Sequence, residues 1–157
     1  MGKFNSLLDA KFNPPRNWIL DTNLKFNSDT VDDEDRALLK KCGVKITKAG
    51  VITIPAGYIT DLASVPRVCW SFMAPFDVAR AAVVHDMLYE KINGAFNEGI
   101  IPTKEEREKY RLVADNVFRE GMEAAAPNVP IWKIYSAYYA VRAFGRFAIN
   151  SSAPRKI

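Results

Sequence analysis

"FDVARAAVVHDMLYEKI", residues 76–92, decides how this chain is read. It is rich in alanine and other apolar residues and is apolar on most faces of a helix, so it belongs at the centre of a packed domain. His85, the single histidine of the chain, lies in its middle. Asp86 follows at once, and Tyr89 comes one turn later. Residues four apart share a helix face, so His85 and Tyr89 are neighbours, while Asp86 points ~100° away. These side chains cannot all face one core, but they can flank one groove. His85 is then a candidate base for a water, and Asp86 a candidate ligand for a hard cation. Against this stands a structural role: a histidine on an apolar helix often only satisfies its hydrogen bonds in the core.

Downstream, "NGAFNEGIIP" (93–102) holds two glycines and a proline and predicts a loop. "TKEEREKYRLVADNVFREGMEAAA" (103–126) opens with a capping box, Thr103 with Glu106, and carries apolar residues at helical spacing. The two long helices are expected to run antiparallel. Asp115, mid-way along the second, is the candidate partner that fixes the tautomer of His85. The alternative places Asp115 on a solvated face with Arg111 and Arg119, four residues away on either side. "IWKIYSAYYAVRAFGRFAIN" (131–150) predicts a last helix that is aromatic almost all round, with Lys133, Arg142 and Arg146 as its charges. Packing on the core, a protein–protein surface and an interfacial membrane helix all remain open for it.

Upstream, "VPRVCWSFM" (65–73) predicts a short helix with Pro66 in its first turn. It follows a connection, "YITDLASVPR", in which Asp61 and Ser64 either cap that helix or face a site. A Ser64–His85–Asp115 triad is conceivable, although no G-x-S-x-G elbow surrounds Ser64. "VKITKAGVITIPAG" (44–57) predicts a β-hairpin around Lys-Ala-Gly, ended by Pro55. Residues 28–43 predict a short helix capped by Thr30 or Asp29 and stopped by Gly43, and residues 18–26 an edge strand or hairpin limb. The expected organisation is a Pro-Pro-containing arm over 1–16, a single α+β domain over 17–150 and a loose tail over 151–157. The fold class is α+β: N-terminal β-hairpins, then a bundle of about four helices with two antiparallel central ones.

The totals agree with one globular domain. The chain has 157 residues, 48% hydrophobic and 25% charged, with a net charge of +4. This mild excess permits contact with an anionic lipid surface without demanding it. Cys42 and Cys69 cannot build a disulfide framework. No signal peptide and no transmembrane run is visible, and no specific nucleic-acid motif is present.

Four blocks, "IPAGYITDLASVPR", "AAVVHDMLYEK", "ADNVFREGM" and "YYAVRAFG", resemble in the same order the phage and prophage family known as domain of unknown function 1353. The resemblance runs from about Trp18 to Gly145. It implies a phage-encoded chain found in the host cytoplasm during infection or in the virion, with virion proteins as partners. More locally, "HDMLY" followed by "ADNVF" is similar to the active-site helices of phospholipase A2. That similarity implies His85 as general base, Asp86 as a calcium ligand, Tyr89 in support and Asp115 orienting the histidine. The disulfides and the glycine-rich calcium loop of that family are missing; Gly57 to Asp61 is the only substitute, making Asp61 the second candidate metal ligand. Ser64 and Arg67 are then the candidate substrate contacts. Three functions follow as expectations: a calcium-assisted ester hydrolase, a non-enzymatic virion or assembly protein such as a tail or neck component, and a small factor that binds a host protein.

Overall fold

The structure, a computed structural model, describes residues 2–14, 16–72, 75–125 and 128–155, without the side chains of 75–77. It is α+β, with antiparallel strands first and helices after them. One sheet has the order β1 (Lys3–Phe4), β4 (Leu24–Asn27), β6 (Val51–Ile54), β5 (Lys45–Ile46). The other has the order β2 (Ala10–Asn13), β3 (Asn17–Leu20), β7 (Ile59–Thr60). Period-2 alternation explains the first sheet. Leu24 and Phe26 face Ile54 and Ile52 across the β4–β6 register, and all four are buried. Each such side chain contributes ~1.5–3 kcal/mol of burial. The expected 44–57 hairpin is present as β5 and β6.

Residues 1–16, expected as an arm, contain β1 and β2, whose partners are β4 and β3. The edge strand expected over 18–26 is divided between β3 and β4, one in each sheet. The connection over 58–67 contains β7, whose pairing of Thr60 with Trp18 brings Thr60 and Asp61 beside the helices.

Helix α1 (Asp33–Lys41) is capped by Asp32, which accepts the Asp35 N–H at 2.8 Å. Thr30 and Asp29, expected as caps, are held elsewhere. Both bond the buried Glu120 carboxylate, as does Ser28, and this pins the start of α1 to the second long helix. Helix α2 (Arg67–Trp70) is shorter than expected, and Met73 of that expected span lies outside the described residues.

The central helices are α3 (Pro75–Asn97) and α4 (Lys104–Glu123). Helix α3 continues past Ile92, where a loop was expected. Asn93 is buried and bonds both Arg107 and the Ser152 carbonyl, and Ala95 is also buried. These contacts outweigh the ~1 kcal/mol penalty of Gly94 within the helix. Gly99, at φ +81°, supplies the left-handed turn that stops it. Thr103 caps α4 by accepting the Glu106 N–H at 3.2 Å. Helix α4 ends at Glu123; Ala126 of the expected span lies outside the described residues. Ala81 meets Gly121, His85 meets Asp115, and Asn93 meets Arg107, so α3 and α4 are antiparallel. Helix α5 (Ile131–Ala148) buries Ile134, Ala137, Val141 and Gly145, and a 3-10 turn (Ile149–Ser151) follows. In the expected loose tail, Arg155 reaches Asp61 at 2.9 Å.

Candidate functional site

His85 sits at the centre of a buried relay that joins three helices and one loop. Its Nε2 meets Asp115 Oδ1 at 2.7 Å, and its Nδ1 meets Ser64 Oγ at 3.0 Å. Asp115 also accepts the Tyr89 hydroxyl at 2.7 Å on Oδ1. On Oδ2 it accepts Arg111 at 3.1 Å and Arg142 at 2.8 Å. Helical spacing places His85 and Tyr89 on one face of α3, as expected, and the antiparallel pairing brings Asp115 opposite. Phe118 and Tyr89 pack against the imidazole with tilted rings at centroid distances of 4.9 and 4.1 Å.

The alternative placement of Asp115 between Arg111 and Arg119 is half realised. Arg111 does pair with it, but inside the protein; Arg119 lies 3.8 Å from Glu123 instead. Arg111 also donates to the carbonyls of Val141 and Arg142, which ties α4 to the backbone of α5.

Burial pushes the Asp115 carboxyl up, but its bonds from His85, Tyr89 and Arg142 outweigh that and hold it below the usual carboxylate range. Burial, with the Asp115 charge beside it, raises the Tyr89 hydroxyl well above its ordinary value. In the neutral imidazole, an Nε2–H given to Asp115 leaves Nδ1 to accept the Ser64 hydroxyl. His85 and Asp115 are 0% exposed and Ser64 is 2% exposed, so the relay is sealed from solvent.

Asp86 points to a different side of α3. Its Oδ2 accepts the Thr60 hydroxyl at 2.6 Å, with the Tyr58 hydroxyl 3.5 Å away. Tyr58 is closer to Glu90, at 3.1 Å. Burial raises the carboxyls of both Asp86 and Glu90, and their mutual repulsion adds to the rise at Glu90. Asp61 bonds the Ala63 N–H and Arg155 through one oxygen. Asp86 and Asp61 are near enough for the Asp61 charge to raise Asp86. Yet each is engaged with protein donors, and among the described residues no group of three or more His, Cys, Asp or Glu is placed to hold a metal ion.

Arg67 is exposed at the start of α2 and does not touch the relay. It lines an apolar cleft of about 580 Å3 with Thr60, Asp61, Ala63 and Val65. The loop 60–67 therefore divides the cleft from the relay, with Ala63 and Val65 on the cleft side and Ser64 turned towards His85. Leu62, in this partition, has a φ of +58°, and it is the one described non-glycine residue in the left-handed region.

Sequence reasoning missed Arg142, Thr60 and Gly145. A Cβ on Gly145 would collide with the Tyr89 hydroxyl and crowd Arg111, so the glycine opens the space in which α5 covers the relay. A glycine inside a helix pattern was its available signal. Arg142 and Thr60 carried none, because they arrive from distant parts of the chain.

Residues 36–141 match the family described as protein of unknown function (DUF1353). The match spans most of the chain and includes His85, Asp86, Tyr89 and Asp115, so the chain belongs to that family. No curated protein and no solved structure matches it significantly.

Proposed function

We propose that this family member is a non-enzymatic assembly protein, a virion or tail component of a phage, which presents the outer face of α5 to a protein partner. The observation that carries this reading is that face itself. Trp132, Tyr139, Phe144 and Phe147 are each more than half exposed, and Tyr135 lies beside Tyr139 with centroids 6.1 Å apart. Trp132, Tyr135, Tyr139 and Arg146 fall within one sector of the helix by their spacing. Trp, Tyr and Arg are the residues that dominate protein–protein binding energy, and large exposed aromatic patches mark such surfaces.

The relay supports the same reading. With four donors on Asp115, it fastens α5 to α3 and α4 through Arg142, Arg111 and the pocket at Gly145. Two guanidiniums beside Asp115 neutralise the charge that an activated imidazolium would need. The test is to purify particles from a host producing the chain. Wild type should be incorporated, and Trp132→Ser with Tyr139→Ser should fall at least tenfold in incorporation at an unchanged melting temperature. Particles that contain no copy of the chain would sink the reading.

A second reading, ester hydrolysis, is favoured by the distances Ser64 Oγ–His85 Nδ1 and His85 Nε2–Asp115 alone. In it, movement of the 60–67 partition exposes Ser64. The hydroxyl gives its proton to Nδ1 while its oxygen attacks the ester carbonyl, and the imidazolium returns that proton to the leaving alkoxide. Water then hydrolyses the acyl-serine. Aryl-ester turnover, measured with calcium and with a chelator, decides it. The assembly reading expects wild type and Ser64→Ala to match buffer; turnover lost in Ser64→Ala would establish the hydrolase.

A further inference from the structure

The cleft on the far side of the 60–67 loop is used by neither reading. We infer that it binds a single-chain anionic amphiphile, with the aliphatic chain in the trough and a carboxylate head at Arg16 and Arg67. Three observations carry this. First, a volume of about 580 Å3 falls within the ~300–1,000 Å3 of small-molecule sites. Second, the trough is apolar. Trp18, Leu62, Trp70 and Val83 contribute walls from β3, the loop, α2 and α3, and Trp18 is 40% exposed although it lines a concavity. An apolar cleft open to solvent gains by covering itself with an aliphatic chain rather than with a polar ligand. Third, the charge at the cleft is uncompensated. Its one acid, Asp61, is taken by Arg155. Arg16 and Arg67 are exposed and pair with no carboxylate among the described residues. A guanidinium fork beside an apolar trough matches a carboxylate at the end of a hydrocarbon chain.

The positive φ of Leu62 fits this placement, since strained backbone concentrates at ligand clamps. The cleft stands apart from the α5 face and from the relay, so the inference survives the failure of either functional reading.

The experiment is titration of the full chain with dodecanoate, dodecanol and butyrate, each below its aggregation concentration, followed by calorimetry and by tryptophan fluorescence. Dodecanoate is expected to bind one per chain. Dodecanol should bind at least tenfold more weakly, and butyrate not measurably. Ala79→Trp, which fills the trough, should abolish dodecanoate binding. Should that variant fail to fold, Arg16→Gln with Arg67→Gln carries the test: it should weaken dodecanoate at least tenfold and leave dodecanol unchanged. Equal affinity for dodecanoate and dodecanol, or binding unaffected by the arginine substitutions, would overturn the inference. So would binding lost in Trp132→Ser, which would place the ligand on α5.

Discussion

Asp86 and Asp115 are both buried carboxylates, and their surroundings act on them in opposite directions. Asp115 has four donors and is held below the ordinary carboxylate range; Asp86 has one close donor, Thr60, and is raised above it. Burial pushes both the same way. What separates them is the number of N–H and O–H groups, and the guanidinium charge, that the surroundings bring to each. His85 and Asp86 are adjacent in the chain, yet one faces a saturated, cationic junction of three helices and the other a poorly compensated acidic corner with Glu90. The difference teaches that a His-Asp pair in sequence says little about shared chemistry until each side's donors are counted.

The comparison is broken most severely by removing the carboxylate with the most donors. Asp115→Ala leaves His85 Nε2 and the buried Tyr89 hydroxyl without their acceptor and takes one of two carboxylates from Arg111, which keeps Glu108; loss of one partner from a buried ion pair costs ~3–5 kcal/mol. Urea denaturation should show a loss of that size, against almost none for Asp61→Ala on the half-exposed loop. Gly145→Ala comes next. Its methyl must displace the Tyr89 hydroxyl, and overpacking of this kind costs ~1–3 kcal/mol, which a lowered melting temperature would register.

Ser64→Ala removes one hydrogen bond to Nδ1 and should cost ~1 kcal/mol in the same denaturation experiment. The smallest effect has the opposite sign. Because the Asp86 carboxyl is raised by burial, the unfolded chain releases that proton first, near an ordinary value of ~3.9. This contribution to stability is complete below ~3.9 and is lost as pH rises towards the folded value. Asp86→Asn, which keeps an acceptor for Thr60, should therefore be slightly more stable than wild type at pH 7 and equal to it at pH 3. Asp115 contributes the reverse: its stabilisation is present above ~3.9 and disappears as pH falls through its depressed folded value. Stability curves from pH 2 to 7 for wild type, Asp86→Asn and Asp115→Asn would separate the two slopes.

The local parts of this arrangement were legible. The apolar run around His85, the Thr103 cap and the turn-by-turn spacing of His85 with Tyr89 depend on residues a few positions apart, and they predict α3 and the start of α4; the His85–Asp115 contact, across thirty positions, stood as one of two placements for Asp115. The region before residue 30 was harder to read. Its strands are two to four residues long, and β1 and β4 pair across more than twenty positions, so neither alternation nor a turn signal marks them strongly. The continuation of α3 through Gly94 was hidden for a related reason: Asn93 is held by Arg107 and by the carbonyl of Ser152.

From sequence alone, helix periodicity makes Tyr89 a neighbour of His85, and an antiparallel pair of helices makes Asp115 a candidate partner for the same imidazole. Only the tertiary structure decided what surrounds them. Arg142 and Gly145 come from α5 and Ser64 from a loop, and these close over His85, while Thr60 from a strand is the one close donor that reaches Asp86. Burial and charge compensation are sums over everything that packs nearby, and most of those groups lie far along the chain from the residues they act on.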